Sequence, residues 1–210
     1  GEITLVKSEY MPIEHYYSAT CGEVEFRQIY QCYQERIQQE GKLDFDDMLV
    51  YTYELLKERP DICRQWQQKF QYILIDEFQD INRIQYEIVR MLSGDRKNLF
   101  VVGDDDQSIY RFRGARPEIM LGFTKDYPEA EVILLNVNYR SSREIVEGSL
   151  RMIANNTKRY DKKIISNQPY VAPICIHELK SPAEEAQDIR KQIQIYHEQG
   201  IPYREMAVIF

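Results

Sequence analysis

The sequence predicts an α/β protein in which parallel strands alternate with amphipathic helices. Three observations carry that prediction. Two short apolar runs, Gln71-Tyr72-Ile73-Leu74-Ile75 and Asn98-Leu99-Phe100-Val101-Val102, each end in carboxylates. Runs of that length and composition fit buried parallel strands. Apolar residues recur at helical spacing around them, and strand–helix alternation defines the class. Right-handed β-α-β crossovers then place the polar turns along one edge of the sheet, where ligands of open α/β sheets bind.

The elements follow in order. Phe26, Tyr30, Tyr33 and Ile37 mark a helix after Pro12, closed by Gly41. This opening segment has no strands of its own and reads as an appendage or as part of another domain. Asp44 suits an N-cap. Phe45, Met48, Leu49, Tyr53 and Leu56 then form one stripe, up to a break at Pro60. A strand is expected over 71–75. The next helix should bury Ile84, Ile88, Met91 and Leu92 and stop at Gly94. The second strand is expected over 98–102, and Pro117 opens a helix to about Tyr127. Glu131-Val132-Ile133-Leu134-Leu135 reads as a third strand. A helix over about 142–155 carries Val146, Leu150 and Ile153. Pro169 and Pro173 mark a loop, and Ile174-Cys175-Ile176 a short strand. From Ser181, with Glu184 at capping-box spacing, a long helix should bury Ala186, Ile189, Ile193 and Tyr196. Ala207-Val208-Ile209-Phe210 reads as a last strand.

At 210 residues one or two domains are expected, and 43 % hydrophobic residues suffice for a packed core. The formal net charge of -7 argues against nucleic-acid binding by bulk attraction and leaves open a local basic groove. Cys21, Cys32, Cys63 and Cys175 form no Cys-x-x-Cys pair and lie near no histidine at zinc-finger spacing, which favours free thiols. No apolar run approaches the ~20 residues of a membrane span, and no signal-peptide pattern opens the chain. No membrane partner is expected, and a cytoplasmic location is.

The acidic turns carry the chemistry. Asp76-Glu77-Phe78-Gln79-Asp80 follows the first run, and Gly103-Asp104-Asp105-Asp106-Gln107 the second. Like charges 4 Å apart repel by roughly 4 kcal/mol at an effective dielectric of 20. Something cationic should join them, and a metal–nucleotide complex is the natural candidate. Asp76 and Glu77 can supply one carboxylate to a Mg²⁺ shell and a second to orient or deprotonate water. The alternative is a solvated acidic turn. Gln107 can hydrogen-bond a terminal phosphate, or be a plain turn residue. Tyr110-Arg111-Phe112-Arg113 interleaves aromatics and cations as single-strand stacking platforms do, with each stacked base worth about 1–3 kcal/mol. Otherwise the rings are core residues and the arginines pair with carboxylates. Tyr139-Arg140-Ser141-Ser142 offers a ring for a base and an arginine for a phosphate. The alternative there is a surface arginine and a capping serine.

Together these stretches resemble the UvrD/PcrA/Rep family of superfamily 1 DNA helicases. The residues that carry the resemblance are Leu43-Asp44-Phe45-Asp46-Asp47-Met48, Ile75-Asp76-Glu77-Phe78-Gln79-Asp80, Gly103 through Ala115, and Leu135-Asn136-Val137-Asn138-Tyr139-Arg140-Ser141-Ser142. They occur in the family's order, from about residue 25 to the C-terminus. The resemblance implies two RecA-like motor domains with ATP and Mg²⁺ between them. It implies Asp76 as Mg²⁺ ligand, Glu77 as catalytic base, and Gln107 as sensor of the γ-phosphate. Tyr139 would pack on the adenine. Arg140 would be an arginine finger, a group worth on the order of 10³–10⁵ in rate. Tyr110, Phe112 and Arg113 would face DNA, with Phe112 where many relatives have a tryptophan. The implied activity is an ATP-dependent 3′→5′ translocase on single-stranded DNA that unwinds duplex at single-strand/duplex junctions.

The departures matter as much. No Gly-x-x-x-x-Gly-Lys-[Ser/Thr] phosphate loop occurs, and Gly41-Lys42 lacks its spacing. The family's adenine-recognition glutamine segment and later motifs, including a second arginine, are also missing. The expectation is an internal slice that does not hydrolyse ATP alone. Its parts would be the tail of the helical 1B insertion (1–42), the later part of RecA-like domain 1A (43–131) and the first part of domain 2A (132–210). Exposed strand edges would invite self-association. Two other readings stand beside this one: a helicase–nuclease subunit of the AddA/RecB type, and a non-catalytic DNA-binding module on a motor scaffold.

Overall fold

The computed structural model of this chain describes residues 1–209; the side chain of Arg113 also lies outside the described residues. The protein is α/β with parallel strand pairing, and it divides into two compact units. The first holds Gly1–Asn136 and Ile153–Lys163; the second holds Val137–Met152 and the residues from Ile164 onward.

The first unit opens with α1 (Glu2–Ser8), α2 (Glu23–Gln39), α3 (Phe45–Glu58) and α4 (Pro60–Lys69). Asp44 caps α3 as expected. Its carboxylate accepts the Asp47 amide at 2.6 Å, and Asp47 returns the bond to the Asp44 amide at 3.2 Å. The same two carboxylates take the Lys7 ammonium at 2.6 and 2.7 Å. Lys7 is buried, and burial opposes its charge. The two aspartates outweigh that cost and hold its pKa above the usual value. This clamp fixes α1 on the start of α3. The expected break at Pro60 is real, and the chain resumes there as α4. Proline at the first helical position loses no hydrogen bond, and its φ is already helical. The α3 stripe is less buried than its pattern implied: Leu56 is buried, whereas Phe45 and Met48 are exposed.

Strand β1 (Ile73–Ile75) and strand β2 (Leu99–Val101) pair in parallel, Ile73 with Leu99 and Ile75 with Val101. Between them runs α5 (Arg83–Ser93), capped by Asn82 and ended at Gly94. Helices α6 (Pro117–Leu121) and α7 (Phe123–Asp126) follow, parted at Gly122 where one helix was expected. Ile75 and Val101 pack on Phe78, Ile81 and Tyr86, with Ile119, Met120, Phe123 and Tyr127 closing that core. The other face carries the paired Leu74 and Phe100, both exposed.

The second unit contains β3 (Val137–Asn138), most of α8 (Arg143–Ile153), β4 (Ile165–Ser166) and α9 (Pro182–Glu198). β3 and β4 pair in parallel. The strand expected over 131–135 is absent: Val132, Ile133, Leu134 and Leu135 are exposed, and no neighbouring strand takes up their backbone. Pairing starts two residues later, where Ile165 and Ser166 supply the partner. Residues 174–176 and 207–209 likewise form no strand, and Phe210 lies outside the described residues. Ser181 caps α9 through the Glu184 amide at 3.3 Å. Ile189 and Ile193 are half-buried on that helix, and Ala186 and Tyr196, expected to be buried, are exposed.

Candidate functional site

The first acidic turn owes its shape to Glu77. Its backbone is left-handed, φ 51° and ψ 41°, an uncommon state for a residue with a Cβ. The turn drops Phe78 into the core at 0 % exposure and leaves Asp76 and Glu77 on the surface. Asp76 accepts the Glu77 amide at 2.9 Å. Such strain, of order 1–3 kcal/mol, persists where surrounding contacts over-determine it. Here the Phe78 amide bonds the Val102 carbonyl at 2.9 Å, and the Val102 amide the Ile75 carbonyl at 2.8 Å.

Gln79 joins this turn to the next. It is 2 % exposed. Its Nε2 donates to Glu77 Oε2 at 2.7 Å, and its Oε1 accepts the Asp104 amide at 3.0 Å. Its carbonyl accepts the Ser108 hydroxyl at 3.1 Å. Gly103 is required by this close approach. A Cβ there would stand 2.6 Å from Gln79 Oε1 and 3.1 Å from the amide nitrogens of Phe78 and Gln79. Gln107 Nε2 in turn donates to Asp104 Oδ2 at 2.8 Å. Glu77, Gln79, Asp104 and Gln107 therefore form one hydrogen-bonded line across the ends of β1 and β2.

The expected cation at the second turn is supplied by the protein. Lys162 Nζ lies 2.6, 2.6 and 2.8 Å from Asp104, Asp105 and Asp106. Arg159 grips Asp106 with two bonds of 2.8 and 2.6 Å, and the Tyr160 amide donates to Asp105 at 2.8 Å. Arg159 holds the Asp106 carboxyl below the usual range despite partial burial. Burial pushes Asp104 up, but the bonds from Lys162 and Gln107 outweigh it and leave that carboxyl lowered. A metal–nucleotide complex is thus not needed to neutralise this run. Arg159 and Lys162 escaped the sequence reading. Their signal was the basic run Lys158-Arg159-Tyr160-Asp161-Lys162-Lys163, opposite in sign to the aspartates but more than fifty residues away.

At the first turn, Asp76 and Glu77 hold no ion pair among the described residues. Burial and the nearby Glu77 raise the pKa of Asp80, whose Oδ1 is buried and takes no hydrogen bond among the described residues. Among the described residues no group of three or more potential metal-ligating side chains forms a cage. An exposed aspartate suits Mg²⁺ in the way that ion is usually held: one or two carboxylates, with waters and phosphate oxygens completing the shell.

Tyr110 and Phe112 are exposed rather than core residues, with ring centres 5.9 Å apart. Arg111 lies 3.7 Å from Glu118. The Arg113 side chain, expected to face DNA, lies outside the described residues. The turn is anchored from behind, since Gly114, at φ +87°, leaves no space for a Cβ against Ser8. Arg116 holds Glu9 through two bonds of 2.6 Å.

In the second unit, the Asn138 side chain caps the turn by accepting the Arg140 and Ser141 amides at 3.0 and 2.9 Å. The Tyr139 carbonyl accepts from Gln168 Nε2 at 2.8 Å. Tyr139 and Arg140 are exposed. The structure thus brings together Asp76, Glu77 and Gln107 in one unit, and Tyr139 and Arg140 in the other.

Comparison with known proteins matches residues 3–128 to the UvrD/REP helicase N-terminal domain and residues 133–210 to the UvrD-like helicase C-terminal domain. YjcD of Bacillus subtilis is 38 % identical over 209 residues, all of this chain and 28 % of its own length. The ATP-dependent DNA helicase PcrA of Staphylococcus aureus is 38 % identical over 182 residues, 87 % of this chain and 25 % of its own. A Mycoplasma capricolum protein named probable DNA helicase II homolog is 37 % identical over 188 residues, 90 % of this chain and 26 % of its own. The chain spans about a quarter of the length of these curated relatives. With the N-terminal model matching more than half of the chain and the C-terminal model following it, the chain belongs to the UvrD/REP helicase family.

Proposed function

We propose that this chain forms part of an ATP-dependent DNA helicase that moves 3′→5′ on single-stranded DNA and opens single-strand/duplex junctions. The observation that carries the reading is the hydrogen-bonded line from Glu77 to Gln107. It sets the candidate base and the candidate phosphate sensor at one edge of β1 and β2. The PcrA similarity supports the same activity.

In this reading Asp76 holds Mg²⁺, which when bound with ATP supplies charge stabilisation to the transferring phosphoryl group. Glu77 orients and deprotonates the attacking water, Gln107 bonds the γ-phosphate, Tyr139 packs on the adenine and Arg140 is the arginine finger. Tyr110, Phe112 and Arg113 stack on and grip single-stranded DNA; the exposure of the two rings favours this role. Residues 1–42 are the tail of a 1B insertion, 43–131 part of domain 1A and 132–210 part of domain 2A. The sequence holds no phosphate loop, so the 210-residue chain alone does not turn over ATP. The open Leu74–Phe100 face favours self-association of that chain.

Glu77→Gln in the full-length protein tests the reading. ATP turnover should fall by about 10²-fold or more, the usual share of a general base, while nucleotide affinity is kept. Unchanged turnover would remove Glu77 from its role.

A further inference from the structure

We infer that Gln79 is a positioning residue for the candidate base, fixing the Glu77 carboxylate and locking it to the turn that carries Gln107. The inference rests on the nucleotide-site reading above and deepens it. Gln79 is buried, and both ends of its amide are used. One end donates to the Glu77 carboxylate, the other accepts the Asp104 amide. A side-chain amide of this length does both at once in its ordinary, uncharged state. A carboxylate lacks the donor, an ammonium lacks the acceptor, and a hydroxyl cannot span the gap. Being neutral, the amide also holds Glu77 without a cation that would tie up its charge.

Geometry sharpens the assignment. Glu77 is held in a left-handed turn, so its backbone direction is fixed and its carboxylate needs one further restraint. Gln79 supplies it at 2.7 Å. The glycine at 103 lets the second turn approach closely enough for the other half of the amide to engage. A shift of Gln107 on contact with phosphate would reach Glu77 through Asp104 and Gln79, all within one compact unit.

The test is Gln79→Glu and Gln79→Leu in the full-length protein, with Glu77→Gln beside them. Both Gln79 variants should lose about tenfold to hundredfold in kcat, as removal of an outer orienting partner usually costs, with KM for ATP within about threefold. The split between kcat and KM, with the urea midpoint as a check on folding, separates positioning from simple packing. Wild-type kcat in both variants, or a KM for ATP that rises as far as kcat falls, would overturn the inference. If Glu77→Gln itself turns over normally, it is the nucleotide-site reading that fails instead.

Discussion

Lys162 shows how much one side chain can decide. It meets three carboxylates within 2.8 Å at 11 % side-chain exposure. Burial works against its charge, yet the aspartates hold its pKa above the usual lysine value. Lys162→Met would leave Arg159 to balance the run, and should destabilise the protein by about 2–3 kcal/mol, read from the urea midpoint. That figure sits at or below the usual range for a broken buried pair because Asp104 is about one-third exposed. The sign with pH follows from the shifts. Asp104 and Asp106 are lowered in the folded state. Their contribution is present above the unfolded value near 3.9 and is lost as pH falls through the folded ones. The gap between wild type and Lys162→Met should therefore narrow on acidification below about pH 4. The raised lysine gives stability that is full below about pH 10.4 and is lost above it. A constant gap down to pH 2 would place the stabilising contacts elsewhere.

Among the elements, those fixed by local chemistry were legible in the sequence. Asp44, Asn82 and Ser181 cap helices where their spacing says they should, and Gly94 ends α5. The two strands before the acidic turns were legible because tertiary packing buries the face their β-branched and aliphatic residues present. What failed was set by partners distant in sequence. The run 131–135 has strand composition but no neighbour to bond, and the short β4 has little composition to betray it. Gln79 was visible, but its two-ended role was not, because no local pattern announces which amide a buried side chain will meet. Glu144 is a further case. It sits in the first turn of α8 and accepts the Val171 and Ala172 amides at 3.2 and 3.0 Å, with Ser142 Oγ at 2.8 Å. Desolvation opposes its charge, but these donors hold its carboxyl at about 2. Glu144→Gln should free the segment after Pro169, and hydrogen exchange at Val171 and Ala172 should quicken about tenfold, the equivalent of one net hydrogen bond. Unchanged exchange would mean the segment is held by other contacts. In wild type those amides should stay protected as pH falls until it nears 2.

At the scale of the whole molecule, the proposed function gives a residue of each compact unit a role in ATP turnover. Gln107 lies at the end of β2 in the first, and Arg140 follows β3 in the second. A double-mutant cycle in the full-length protein tests those two roles most directly, by measuring ATP turnover for Gln107→Ala, Arg140→Ala and the pair. If both groups act on the same γ-phosphate, the double variant should be little worse than the poorer single one, a coupling of about 1 kcal/mol or more. Effects that add within about 0.5 kcal/mol would contradict the roles proposed for Gln107 and Arg140.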